Sequence, residues 1–337
     1  MPGMKVFLQV LVAIPVLLIT LWGVLALYFA GPDPAWLRPA LASLFGVGTL
    51  ALLVCLRPYR LALGIWAAAV VLLMFWWTTL QPSNDRNWQP DVARLPTGEI
   101  QGNKLTIRNL RNVDYRTETD YTVRYEDRTY DLSRLTGLDL FMIYWGSPAI
   151  AHTIMSWQFE GSLPLAVSIE TRKQVGQEYS ALEGFFKQYE IIYVVADERD
   201  VVRVRTNYRG EDVYLYRVRG PVENRRRLFL EYVRAINALR DEPRFYDTLT
   251  TNCTTTILLH TRVNPGHLPL SWKVLLSGHA AEYVWEQGRL DTSLSFAELE
   301  RRSRINDAAR AANQSADFSR RIREGLPGMS AVAGGGS

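Results

Sequence analysis

Three apolar runs open the chain. Val6 to Ala30 is apolar except for Gln9 and Thr20, Pro39 to Leu56 forms a second run, and Leu61 to Leu80 a third. Each is long enough, as a helix, to cross roughly 30 Å of hydrocarbon. Pro15 would break a soluble helix but is tolerated in a membrane one. A cleaved signal peptide fits poorly, because the first run is long, lacks a small-x-small cleavage site and is followed at once by two more spans. Past residue 80 the pattern changes. "QPSNDRNWQPD" (81–91) is a polar connector, taken here to extend to residue 103. The stretches 104–116 and 119–132 then alternate apolar and polar residues as extended chain does. Strands are predicted at 138–145, 149–159, 165–172, 190–196, 201–206 and 212–218. Residues 222–241 carry Phe229, Tyr232, Val233, Ile236 and Leu239 at helical spacing, and 247–259 predicts a further helix. The charged tail, 296–337, reads as mostly helical up to Gly325, and its terminal "GGGS" reads as a linker. The expected fold class is α+β: three transmembrane helices (1–80), then a catalytic domain at 104–295 with an antiparallel sheet and flanking helices.

Charge adds an orientation and removes a partner. Of 38 Lys and Arg, four (Lys5, Arg38, Arg57, Arg60) lie in the first 80 residues, with Asp33 the only acid there; 34 basic and 33 acidic residues remain. The formal charge of +4 therefore describes no basic binding face, and nucleic acid is not expected as a partner. Lys5 and "RPYR" (57–60) fall on one side of the membrane if the N-terminus is cytoplasmic, which puts residues 81–337 outside. Cys55 lies in the second span, so the large domain holds a single cysteine and no internal disulfide.

That cysteine sits in "YDTLTTNCTTTI" (246–257). Thr251 or Asn252 is suited to cap a helix, which would place Cys253 in the first turn, where the helix dipole and free N–H groups favour a thiolate and an oxyanion. A base must come from four histidines. His267 reads as exposed loop, His279 as a solvated helix start, and His260 is about two helical turns away from Cys253. His152 interrupts the apolar strand "AIAHTIMSWQF", and the next strand puts Ser168, Glu170 and Arg172 on one face. A carboxylate on a neighbouring strand could fix an imidazole's tautomer; Glu170 could equally pair with Arg172. A small buried cysteine and a satisfied core histidine are the plainer alternatives. Metal chemistry lacks ligands in recognisable spacing, and no phosphate loop appears. No cofactor is expected.

The segments "NDRNWQPDVARLP", "VSIETRK", "ADERDVVRVRTNYR", "VYLYRV" and "FYDTLTTNCTT" together resemble a bacterial extracytoplasmic family named after Lnb, a lipoprotein N-acyltransferase. The resemblance covers about residues 84–290. The family is similar in turn to permuted papain-like (NlpC-type) thiol enzymes, in which the histidine strand precedes the nucleophile helix. The resemblance implies Cys253 as nucleophile, His152 as base and Glu170 as orienting residue, with Asn252, Tyr246 and Thr254 shaping the substrate and oxyanion pocket. Arg172, Glu198, Arg199 and Asp200 match motif positions as a structural charge network. The namesake carries its membrane part after the catalytic domain, whereas here three spans precede it. The implied function is acyl transfer from a membrane lipid or lipoprotein ester to a lipoprotein amine, in the bacterial inner membrane with a periplasmic domain. Hydrolysis of cell-wall peptides by the same triad, or a non-catalytic receptor, are the alternatives.

Overall fold

The structure is a computed structural model that describes residues 2–329; the end of the tail, with its "GGGS", lies outside the described residues. The chain divides into two compact units, one of residues 1–83 with 179–189, the other of residues 84–178 with 190 onward.

In the first unit α1 (Pro2–Ala30), α2 (Leu37–Cys55) and α3 (Tyr59–Thr79) are long and apolar enough to cross a membrane. The polar exception Thr20 is satisfied within the group: its hydroxyl donates to Val16 O (2.7 Å) and accepts from the Trp66 indole (3.0 Å). Gly23 lets the helices close up, since a Cβ there would stand 2.6 Å from both Phe45 and Leu73. Residues 179–189 join this unit through Phe186, stacked on Phe29 at 5.4 Å, and Lys187, whose ammonium donates to Trp77 O (2.8 Å).

The second unit is built on one sheet. Its strands are β1 (Thr97–Gln101), β2 (Lys104–Arg111), β5 (Tyr125–Asp131), β6 (Leu135–Tyr144), β7 (Ala151–Phe159), β8 (Leu165–Arg172), β9 (Glu190–Ala196) and β10 (Asp212–Arg217); β3 (Asp114–Tyr115) and β4 (Tyr121–Thr122) form a small separate ribbon. The order is β1-β2-β9-β8-β7-β6-β10, with β5 paired to β2, and every neighbour is antiparallel except β2 with β9. Two layers cover it. Phe141, Ile143, Ile154, Val194 and Leu215 meet Val201 of α4 (Glu198–Val201) and the C-terminal residues Ile305, Ala309, Phe318 and Ile322. On the opposite face, α5 (Val222–Asp241) sets Phe229 and Tyr232 against Trp157, with ring centroids at 5.1 and 4.9 Å. The remaining helices are α6 (Cys253–Thr261), α7 (Trp272–Leu275), α8 (Ala280–Glu286), α9 (Phe296–Ser303), α10 (Asn306–Ala311) and α11 (Phe318–Arg321).

The α+β class and the principal strands stand as read from the pattern, but several boundaries move. Residues 201–206 are not a strand: α4 runs into a π-helical turn, Val204–Tyr208. Buried Val202 and Val204 mimic strand alternation there, while Asp197 caps the helix by accepting from Arg199 N–H. The helix expected from residue 247 begins at Cys253, because Asp247 Oδ1 ties the N–H groups of Leu249 and Thr250 into a turn. Boundaries at 103 and 295 fall inside the second unit, since β1 is hydrogen-bonded to β2 and the tail helices complete the core.

Two buried ionic groups lock the sheet's helix-covered face. Asp200, fully buried, takes both Arg111 nitrogens at 2.9 Å and the Val113 N–H at 2.8 Å. Glu198, also fully buried, accepts from Ser156 (2.5 Å) and from Arg323 (2.6 Å), which reaches on to Asp139 (2.9 Å). Arg172 is held structurally, donating to Val92 O, Ala93 O and Asn84 Oδ1 and lying 4.3 Å over Trp88. Removing one member of a buried pair strands the other, so Arg111→Ala is expected to cost about 3–5 kcal/mol in chemical unfolding of the full chain. Arg108→Ala, in an exposed pair with Asp127, should cost less than about 1 kcal/mol.

Candidate active site

The site begins with a helix cap. Asn252 Oδ1 accepts from Thr255 N–H (2.9 Å), while Thr255 Oγ1 accepts from Asn252 N–H (3.1 Å). This reciprocal capping box fixes the start of α6 and makes Cys253 its first residue. The Asn252 amide nitrogen donates to Thr248 O (2.8 Å). The structure thus gives Asn252 the work of a cap. The backbone N–H groups of Cys253 and Thr254 make no hydrogen bond among the described residues, as the first N–H groups of a helix commonly do not.

His152 reaches the same place from the sheet. The β7–β8 ladder ends at Ile154–Ser168, two residues short of His152 and Glu170, and α6 packs against both strands. The strand end is pinned by Ala151 N–H donating to Ser277 Oγ (2.9 Å). Gly278 is required beside it, because a Cβ would lie 2.0 Å from Pro148 O. His152 Nε2 is 2.6 Å from Ser168 Oγ, and Ser168 donates its hydroxyl proton to Glu170 Oε1 at 2.7 Å. With that single proton committed, Ser168 accepts from His152, so Nε2 carries a hydrogen and Nδ1 is left for the thiol. Glu170 Oε1 stands 3.7 Å from His152 Nε2, and Arg205 Nη2 lies 3.4 Å behind the carboxylate. Burial works against the Glu170 charge, but Arg205, His152 and Arg111 together with the Ser168 hydroxyl outweigh it and hold the carboxyl well below the usual range.

Cys253 is 9% exposed. Burial pushes its thiol up; the charge of His152 and hydrogen bonds from His152 and Thr153 overcome that and bring it down to about 6. Thr254 Oγ1 lies 3.6 Å from Sγ and 3.1 Å from Thr153 Oγ1. These two threonines also form one end of an apolar cavity of about 150 Å³ between β6, β7, α5, α6 and α8.

The structure brings together Cys253, His152, Glu170 and Thr254. Tyr246 is buried next to Phe245, which bridges to Glu190. The other histidines lie elsewhere: His260 bonds Tyr193 (2.6 Å), His267 is exposed, and His279 lies 3.8 Å from Glu282. Ser168 and Arg205 were not singled out from sequence as site residues. Ser168 shares a strand face with Glu170 and could have been found by that spacing. Arg205 was hidden by the strand reading of 201–206. Among the described residues no cluster of His, Cys, Asp and Glu could hold a metal ion.

Three apolar helices followed by an α+β domain with a thiol–imidazole site define a membrane-anchored protein. Residues 121–278, which include His152, Glu170 and Cys253, match the family described as "Lnb N-terminal periplasmic domain". That match bears out the family resemblance carried by the motifs, and with the three helices it fits a membrane protein whose C-terminal domain is periplasmic. No curated protein and no solved structure matches the chain.

The thiolate reading has a direct check. Carbamidomethylation of Cys253 by iodoacetamide, followed by mass spectrometry, should show a rate that rises through pH 6 and levels by pH 7.5. In His152→Ala the inflection should move up toward the ordinary thiol range near 8.5. An unchanged inflection would dissociate the two residues.

Proposed function

We propose that Cys253 is the nucleophile of an acyltransferase that carries a fatty acyl group as a thioester. The observation that supports it best is a lowered thiol pKa at Cys253 with an apolar cavity lined by the adjacent Thr254 and by Thr153. The thiolate attacks the carbonyl of a phospholipid or lipoprotein ester. The tetrahedral oxyanion forms beside the unbonded N–H groups of Cys253 and Thr254, whose helix end favours negative charge. The His152 imidazolium gives its Nδ1 proton to the departing alkoxide, and the acyl group stays on sulfur. An amine, such as a lipoprotein N-terminus, then attacks the thioester, His152 takes up the amine's proton, and amide product and the Cys253 thiolate result, restoring the starting ion pair. Ser168 and Glu170 hold the ring in its tautomer and stabilise its charge, with Arg205 keeping Glu170 ionised. No cofactor takes part.

The order of the histidine strand before the nucleophile helix supports a kinship with permuted NlpC-type thiol enzymes. The proposed setting is the bacterial inner membrane, with the N-terminus cytoplasmic and the second unit on the periplasmic side. An apolar cavity suits a fatty chain better than a cell-wall peptide, which would call for a polar cleft.

Intact-mass spectrometry of the full chain reconstituted with phospholipid should reveal an adduct of fatty-acyl mass that hydroxylamine removes. Cys253→Ser should lack it, and His152→Ala should form it about 10²–10⁴-fold more slowly. Absence of any lipid adduct, with His152-dependent labelling of Cys253 by a peptide-like thiol probe, would turn the assignment to a hydrolase.

A further inference from the structure

The walls of the cavity run along β6, β7 and α6, from Thr153 and Thr254 to Leu138 and Thr261. Its near end is the Thr153–Thr254 pair that touches the thiol. Its middle is lined by Met155, Ile257 and Leu258. At its far end stand Leu138, Val218, Arg219, Asn264 and Arg289. The register gives the length: Thr153 lies opposite Met142, and Val218 N–H bonds Leu138 O, four residues along β6. That separation is about 13 Å at a strand's rise per residue. Along α6, Thr254 to Thr261 spans about 10 Å at a helix's rise.

The far end is polar and mutually satisfied. Arg219 pairs with Asp291 (2.8 Å), Asn264 donates to Asn224 O (3.0 Å) and accepts from Arg227 (3.2 Å), and Arg289 donates to Gly266 O (3.1 Å). Such groups hold one another in place and offer an alkyl chain nothing to gain by going farther.

We infer that this cavity is a chain-length gauge: a straight acyl chain bound to Cys253 lies along α6 and is fully held up to about eight to ten carbons. The figure follows from an advance of about 1.25 Å per carbon, the projection of a ~1.5 Å C–C bond at a tetrahedral angle. Longer chains are accepted only with their ends beyond the polar collar. The inference rests on the acyl-thiol reading above and adds to it which part of the donor is recognised.

The test uses the full-length chain in detergent with p-nitrophenyl esters of four, eight, ten, twelve and sixteen carbons, reading acylation of Cys253 by intact mass. Val218→Trp and Leu138→Trp fill the far end, and the ratio of variant to wild-type rate cancels the partitioning of each ester into detergent. Each variant's ratio for the four-carbon ester, whose chain stops short of the far end, is its own reference. Relative to that reference the ratio should fall at least tenfold from ten carbons upward. A ratio equal at all lengths in both variants would overturn the gauge while leaving the acyl-thiol chemistry standing. Wild-type Cys253 acylated by no ester would overturn the chemistry and the gauge with it.

Discussion

Burying an anion is expensive, and the Cys253 thiolate is nearly out of water. Its fall from the ordinary value near 9 to about 6 corresponds to about 4 kcal/mol in favour of the charged form, against the pull of burial. Only the neighbouring imidazolium and a few aimed hydrogen bonds stand on the other side of that balance. The position of His152 therefore decides the state of the thiol, and much of the domain is arranged so that it cannot drift. Ser277 fixes the strand end, Gly278 permits the approach, and the capping box fixes the helix end.

The two faces of the sheet divide the labour. Behind the imidazole lies a file of alternating charge: Glu170, then Arg205, then Glu211 at 3.2 Å. Asp200 with Arg111, and Glu198 with Arg323 and Asp139, continue ionic contacts on the face that the tail helices cover. The other face is given to α5 and α6, to packed aromatic rings and to the apolar cavity. The edge that carries Cys253 and His152 thus has fixed charges on one side and an apolar wall on the other.

How far the sequence could reach follows from the range of each interaction. The α6 cap was legible because Asn252 and Thr255 are three residues apart, and a capping box is local. His152 was legible because a histidine in an apolar strand is a conspicuous exception. Glu170 was legible by alternation, and Ser168, on the same strand face, stands between it and the ring. Arg205 was lost because a π-helical turn with buried valines imitates a strand. The cavity was out of reach altogether: its wall draws on residues from Leu138 to Arg289, and no local pattern marks them as neighbours. The tail was set apart from the catalytic domain as a charged helical segment, although Ile305, Ala309, Phe318 and Ile322 enter the core.

One excursion of the chain bears on how the molecule can be taken apart. Residues 179–189, between β8 and β9, belong to the compact unit of the membrane helices, where Phe186 stacks on Phe29 and Lys187 bonds Trp77. The chain therefore passes between the two units three times, not once. Cutting the connector after residue 83 would sever a single strand of the tether and leave an eleven-residue arm whose Phe186 and Lys187 had lost Phe29 and Trp77. Exposed Leu182 and Phe185 on that arm would then meet solvent or another molecule. The apolar helices thus hold a piece of chain that lies in sequence between two strands of the sheet, and separating the second unit calls for re-engineering of the 179–189 segment as well as removal of the helices.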